Sequence, residues 1–373
     1  MTQPPPPPGP GWPPGYPGGQ PGPQWNPQQG WPQTPPPPPK RSFAKWIIGA
    51  VALIAVIAVT AVIAVSCTKS SGGTEKPTAA PTTSGAPASD FASANDTGPV
   101  SVITEDPSCA PWMPILTTYA NSQPSGWLQR DSSLPADVWG PELRSQYEAV
   151  GKAMRAAADQ TVPLVKLTTH RVMRELYEQF IAYARAYADR IPLYTAPDDQ
   201  LALTAIGASQ VLSHICQAIT YGSAAARAPL TAMAQPPTSV APLGSPNKPA
   251  RFLSQPNPVC SDWKAALDRN DTNPAIVAWV ATDSNPPASQ WSPEQKAAND
   301  AVLPLLTSLA DELDKLGRTS GNAIFEDLAT LSAQYQRAFV NAIPTYTQPD
   351  LHLYKVALLT PGIVLGACNT AGS

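Results

Sequence analysis

Ile191-Pro192-Leu193-Tyr194-Thr195-Ala196-Pro197-Asp198 returns 152 residues later as Ile343-Pro344-Thr345-Tyr346-Thr347-Gln348-Pro349-Asp350. In each octet Thr precedes a helix start and a carboxylate follows three residues on, a capping box with Asp in place of Glu. The echo extends upstream, where Tyr183-Ala184-Arg185-Ala186 is answered by the stretch from Tyr335. It extends outward too. Trp112, Trp127 and Trp139 correspond to Trp263, Trp279 and Trp291, and Cys109 and Cys216 correspond to Cys260 and Cys368. One module is written twice, and what the copies share is nearly all core and crosslink.

Apolar spacing sets the content of each copy. Leu143, Tyr147, Val150, Met154 and Ala157 step by four and three, as do Met173, Tyr177, Phe180, Ala184 and Tyr187, and then Leu201, Ala205, Ala208, Leu212 and Ile215. The second copy keeps the phase with Val302, Leu306, Leu309 and Leu313, then Phe325, Leu328, Tyr335 and Phe339, then Leu353, Ala357 and Val364. With a short opening helix over Trp112 to Asn121, each copy is expected to be a four-helix-bundle-like module, and the region to be all-α. Ser292-Pro293-Glu294-Gln295 marks a further start, with Pro at the first helical position. Interior Pro163, Pro304 and Pro361 predict kinks or restarts. In each copy one Cys opens the first helix and the other ends the fourth, which an up-down-up-down bundle brings to one pole. The expected bridges are Cys109 to Cys216 and Cys260 to Cys368, each closing a loop of about 107 residues.

The flanks read differently. Residues 1–45 carry the runs Pro4 to Pro8 and Pro35 to Pro39 and predict a disordered cytoplasmic tail of polyproline II character. Residues 46–66 are uncharged and rich in Ile, Val and Ala, long enough for a transmembrane helix. Lys40, Arg41 and Lys45 precede this run, so the N-terminus stays inside and the remainder lies outside. Ala64-Val65-Ser66-Cys67 loosely resembles a bacterial lipobox, which makes Cys67 a lipidation candidate, although Ala stands where such a box opens with Leu. Residues 67–107, rich in Ser, Thr, Gly and Pro, read as a flexible stalk. Then follow module 1 (108–220), a Pro-rich connection (221–257) and module 2 (258–373). The three cations before the apolar run leave the rest of the chain at about −6, which disfavours a nucleic-acid partner.

Polar residues kept in both copies are the candidates for function: Asp131 with Asp283, Glu142 with Glu294, Arg185 with Arg337, and Asp198 with Asp350. Arg185, Tyr194, Arg337 and Tyr346 are the candidate binding residues, with the arginines expected to meet a capping Asp or the carbonyls of the Ile-Pro-x-Tyr turn. The Trp side chains are expected mainly in the core. His170, His214 and His352 have no His counterparts and no metal-ligand spacing, so no metal or cofactor is expected. Asp131, Glu142 and Asp198 could be assembled into a glycosidase pair, but helix capping already explains them. No nucleophile elbow, zincin pair, phosphate loop or dinucleotide fingerprint occurs.

The opening tail, with Pro-Pro-Gly-Pro-Gly-Trp-Pro-Pro-Gly-Tyr-Pro at 7–17, the basic stop, the Ile/Val/Ala helix and the Ser/Thr/Gly stalk resemble the proline-rich single-pass envelope membrane proteins of mycobacteria and related actinobacteria. That resemblance covers about the first 100 residues. It implies a cell-membrane anchor with an exported region, and carries no catalytic residue. The functional expectation is a non-enzymatic envelope protein whose duplicated modules bind or scaffold an extracytoplasmic protein partner, with a possible cytoplasmic contact through the tail. The alternatives are a small-molecule or lipid carrier or sensor holding its ligand between helices, and third a cell-wall-acting hydrolase.

Overall fold

The computed structural model describes residues 90–371. The expected Pro-rich tail, the expected transmembrane helix over 46–66 and the lipidation candidate Cys67 lie outside them. Ten α-helices and no strand occur among the described residues. The first copy holds α1 (Cys109–Asn121), α2 (Pro141–Leu167), α3 (Arg171–Arg190) and α4 (Asp199–Thr220). After α5 (Ser223–Arg227) in the connection come α6 (Cys260–Thr272), α7 (Pro274–Val280), α8 (Pro293–Thr319), α9 (Ala323–Ala342) and α10 (Leu351–Thr370). From α2 onward the starts repeat at the 152-residue offset. The copies differ at α7, where the first has only a short 3-10 turn, Trp127–Gln129.

The starting octets behave as their chemistry dictates. Thr195 N–H and Oγ1 both donate to Oδ2 of Asp198 at 2.8 and 2.9 Å, and Thr347 does the same with Asp350 at 2.9 and 3.1 Å. Just upstream, the Ala136 and Ala288 amides donate to the Tyr194 and Tyr346 carbonyls at 2.9 Å, fastening the loop before α2 or α8 onto the turn. Ser292 Oγ accepts from the Gln295 amide as an N-cap.

The interior prolines do not break their helices. Each of α2, α8 and α10 runs through its Pro. A proline at 361 withdraws the donor that would serve the Ala357 carbonyl, and Ser332 Oγ supplies one from α9 at 2.9 Å. At Pro163 and Pro304 the carbonyls left over belong to the exposed residues Asp159 and Asp300, where water can serve them.

In each copy α3 or α9 packs between its neighbours, and α4 packs along α10 to join the copies. Thr204 faces Gly366, Gly207 faces Ile363 and His214 faces His352, so the two helices run antiparallel. A Cβ on Gly366 would fall 2.1 Å from Thr204 Oγ1, so only glycine allows this approach. The spans Ala196–Thr220 and Gln348–Thr370 are long and apolar enough to cross a membrane, but most of their surface is buried within the fold, as a core pair requires. One continuous core results. Trp112 meets Tyr177 and Phe180 edge-on at 5.5 and 5.4 Å, and Trp263 meets Phe325 at 5.0 Å. Disulfides join Cys109 to Cys216 and Cys260 to Cys368, with Cα atoms 5.3 and 5.7 Å apart.

Residues 90–107 are not a stalk. Val100, Val102 and Ile103 are buried, the Ile103 amide donates to the Tyr335 hydroxyl at 3.2 Å, and Asp96 Oδ2 accepts from the Arg171 amide at 2.6 Å. Three buried apolar residues and the bonds of Asp96, Ile103 and Asp106 pin it together. The connection is likewise laid onto the helices: Gln179 of α3 bonds both the Ala250 carbonyl and the Phe252 amide, and Arg318 of α8 donates to the Gln235 and Pro236 carbonyls.

Between α3 and α9 lies a group of buried charges. Arg171 and Asp327 are each 1% exposed and form a two-pronged pair, Nε to Oδ2 at 2.6 Å and Nη2 to Oδ1 at 2.9 Å. Glu175 is buried beside them. Desolvation, then the Asp327 charge, push its carboxyl well above the usual carboxylate range.

Candidate functional site

Position 147 and its counterpart 299 set the two copies apart at one aromatic corner. In the first copy Tyr147 of α2 is fully buried and stacks on Trp139, with ring centroids 3.8 Å apart and planes at 20°. Trp127 stands edge-on to the same ring at 4.9 Å, and Tyr194 lies at 4.9 Å on another side. The guanidinium of Arg130 covers the Trp127 ring, 3.8 Å from its centroid, and is held by Asp199 at 2.5 Å. Burial pushes the Asp199 carboxyl up against the opposing pull of Arg130. This corner is filled and internally neutralised.

The second copy keeps the walls and loses the filling. Trp279, Trp291 and Tyr346 repeat Trp127, Trp139 and Tyr194, but Asn299 replaces Tyr147, Thr282 replaces Arg130 and Leu351 replaces Asp199. A cavity of about 120 Å³ opens, lined by Trp279, Trp291, Asn299, Phe339, Tyr346, Tyr354 and Lys355 among others. Tyr354, which stands where the first copy has Ala202, recovers part of the volume by packing at 5.0 Å from Phe339 and 5.1 Å from Trp279.

Its walls are held in place by bonds to one another and to the loop beside them. Trp279 Nε1 donates to Asn299 Oδ1 at 2.9 Å, Trp291 Nε1 to the Pro286 carbonyl at 3.0 Å, and the Tyr346 hydroxyl to the Ser284 carbonyl at 2.7 Å. Gln295 Nε2 ties the rim to the Asp283 carbonyl at 2.6 Å. The polar atoms of Trp279, Trp291 and Tyr346 are therefore committed to the protein, and their ring surface is what a guest would meet. The Tyr346 hydroxyl is pushed up to about 12, first by burial and then by Asp350 and Asp283. Lys355 stands where the first copy has Leu203. Desolvation holds its ammonium below the usual lysine range, and among the described residues no hydrogen bond or ion pair engages it.

Of the four residues proposed from sequence, Tyr346 lines this pocket and Tyr194 is buried in its filled counterpart. The arginines go elsewhere. Arg185 pairs with Asp159 at 2.6 Å and donates to the Asn247 carbonyl, and Arg337 pairs with Asp311 and Asp314 at 2.8 and 3.3 Å. They bind α3 to α2 and α9 to α8, and among the described residues they meet neither the capping aspartates nor the carbonyls of the Ile-Pro-x-Tyr turn. Those aspartates are taken by Arg190 at 2.8 Å from Asp198 and by Arg227 at 2.8 Å from Asp350. Asp131 accepts locally from the Ser133 amide and hydroxyl, and Glu142 sits exposed in the first turn of α2. His214 and His352, unrelated in the repeat, meet across the α4–α10 contact with Nδ1 atoms 3.1 Å apart. Asn299 and Lys355 escaped sequence reasoning because that search kept only polar residues common to both copies. Positions where matched copies disagree are the signal that finds them.

The fold and pocket define a disulfide-bridged, all-helical protein built around one core, with an aromatic recess on its second half. No solved structure matches the chain. A protein described as uncharacterized from Mycolicibacterium smegmatis (strain MKD8) is 51% identical over 369 residues, 98% of this chain and 96% of that one. Residues 91–372 match the family model described as Mycobacterial ESX-1 associated protein, and the chain belongs to that family.

Proposed function

We propose that this protein is a non-enzymatic, membrane-anchored component of the mycobacterial envelope that binds a protein partner of the ESX-1 secretion machinery through the aromatic pocket of its second copy. The family supports the secretion context. The apolar run at 46–66 after its cationic flank supports a single-pass anchor with the helical region outside. The observation that carries the binding role is the contrast at one position: Tyr147 closes the recess in the first copy and Asn299 leaves it open in the second. A recess of about 120 Å³ accommodates one side chain or one ring, the scale of an interface anchor rather than of a lipid tail.

The test is crosslinking capture from native mycobacterial membranes with the intact protein and with Asn299→Tyr, which reinstates the first copy's filling. The partner recovered with the unaltered chain should be lost with Asn299→Tyr. Equal recovery with both, given normal levels of the variant, would rule out the pocket as the point of contact.

A further inference from the structure

The two copies present one aromatic corner in two electrical states. In the first, a cation lies against the rings and a carboxylate neutralises it: Arg130 over Trp127, paired with Asp199. In the second the carboxylate position is Leu351 and the cation position is Thr282, so the neutral pair is gone. A new cation, Lys355, lies on the pocket wall, its charge felt by His214 and His352, and among the described residues no hydrogen bond or ion pair engages it. The carboxylate on the lining, Asp283, is exposed at the rim, where water screens its charge and its Oδ1 accepts from the Asn285 amide at 3.0 Å and from Asn285 Nδ2 at 2.8 Å. A guest ammonium or guanidinium would therefore enter beside a half-buried positive charge, with the counter-carboxylate of the first copy missing. A guest carboxylate would supply what the site lacks, at a partly desolvated position where a charge-assisted bond is stronger than in water.

Volume fixes the rest of the guest. A dry cavity of about 150 Å³ takes a benzene ring, and the present one of about 120 Å³, open at its mouth, is of that class. Its walls offer the faces and edges of Trp279, Trp291, Phe339 and Tyr346, which favour an aromatic ring over an alkyl chain. We propose that the pocket recognises an aryl carboxylate, with the ring among these aromatic walls and the acid on Nζ of Lys355. This rests on the pocket being the binding site. The same chemistry is presented by a free aryl acid and by an aromatic residue at the carboxyl terminus of a chain.

The experiment is calorimetric titration of the full-length protein in detergent with four probes: phenylacetate, phenethylamine, N-acetylglycyl-phenylalanine and the amide of that peptide. The acids should bind, with phenethylamine and the peptide amide about tenfold or more weaker. Lys355→Met should weaken the acids by the same factor, Lys355→Arg should retain them, and Asn299→Tyr should abolish binding of all four. Thermal unfolding of each variant separates a lost site from a lost fold. If the peptide acid binds more tightly than phenylacetate, the source is a chain terminus; if phenylacetate alone binds, it is a free acid. Binding of phenethylamine as tight as that of phenylacetate, indifference of the acids to Lys355→Met, or binding of neither acid would overturn the assignment. Failure of this inference is distinct from failure of the pocket: a partner captured from membranes by Lys355→Met but not by Asn299→Tyr leaves the pocket in place and removes the carboxylate.

Discussion

Replacing Asp327 by Ala should test whether the two copies are tied through the buried charges between α3 and α9. The carboxylate holds Arg171 by two short bonds, and both side chains are 1% exposed. Breaking such a pair from one side costs about 3 to 5 kcal/mol, because the surviving charge stays buried. Two neighbours reduce that figure. Asp96 lies 3.7 Å from Arg171, and Glu175, whose carboxyl is pushed up first by burial and then by the Asp327 charge, ionises more readily once that charge is gone. The expected loss for Asp327→Ala alone is therefore about 2 to 3 kcal/mol, rising to the full range when Glu175→Gln removes the substitute. For a helical region of this size about 2 °C of Tm accompanies each kcal/mol. Calorimetry should accordingly find a drop of about 4 to 6 °C for the single variant, and a drop of about 6 to 10 °C relative to Glu175→Gln for the pair. A drop under about 2 °C in both backgrounds, or a smaller drop with Glu175→Gln present, would refute the reasoning.

Three further outcomes follow from the same geometry. Removing either disulfide by Cys→Ser at both ends frees a loop of 107 or 108 residues, worth up to about 4.8 kcal/mol on the chain-entropy model, and should lower the urea midpoint in each case. Burial holds His214 and His352 down to about 3 and about 4, with the His352 and Lys355 charges adding to the shift of His214 and Lys355 to that of His352. The unfolded chain takes up these protons first, so this stability is complete above about pH 6.5 and should fall by up to about 2.7 kcal/mol per unit as pH drops from about 6 to 4, a slope that His352→Asn should reduce in urea titrations. Glu175 works with the opposite sign: its raised carboxyl favours the fold below the ordinary glutamate range and the advantage is lost as pH rises, so Glu175→Gln should gain stability over the native protein at pH 8 and match it near pH 4.

The helices were legible because their signals are local. Capping boxes at Thr195 and Thr347, a period near 3.6 and the paired cysteines all act within a few turns or through plain topology. What was not legible depends on who faces whom. The charged run Arg171, Arg174, Glu175 and Glu178 gives α3 a polar composition, yet these side chains are buried because a second helical copy and residues 90–107 close over them. The segment at 90–107 was lost in the average composition of the longer stretch before it. The pocket required the opposite of the search first applied: Tyr346 was found because it is shared, whereas Asn299 and Lys355 matter because they are not.

A photocrosslinking residue placed at Gln295 on the pocket rim, set beside one at the matching first-copy position Leu143, tests the central claim most directly in intact mycobacterial cells. The account predicts a discrete adduct from position 295, absent from 143 and lost when Asn299→Tyr is added. Equal adducts from both positions, or an adduct from 295 that survives Asn299→Tyr, would contradict it.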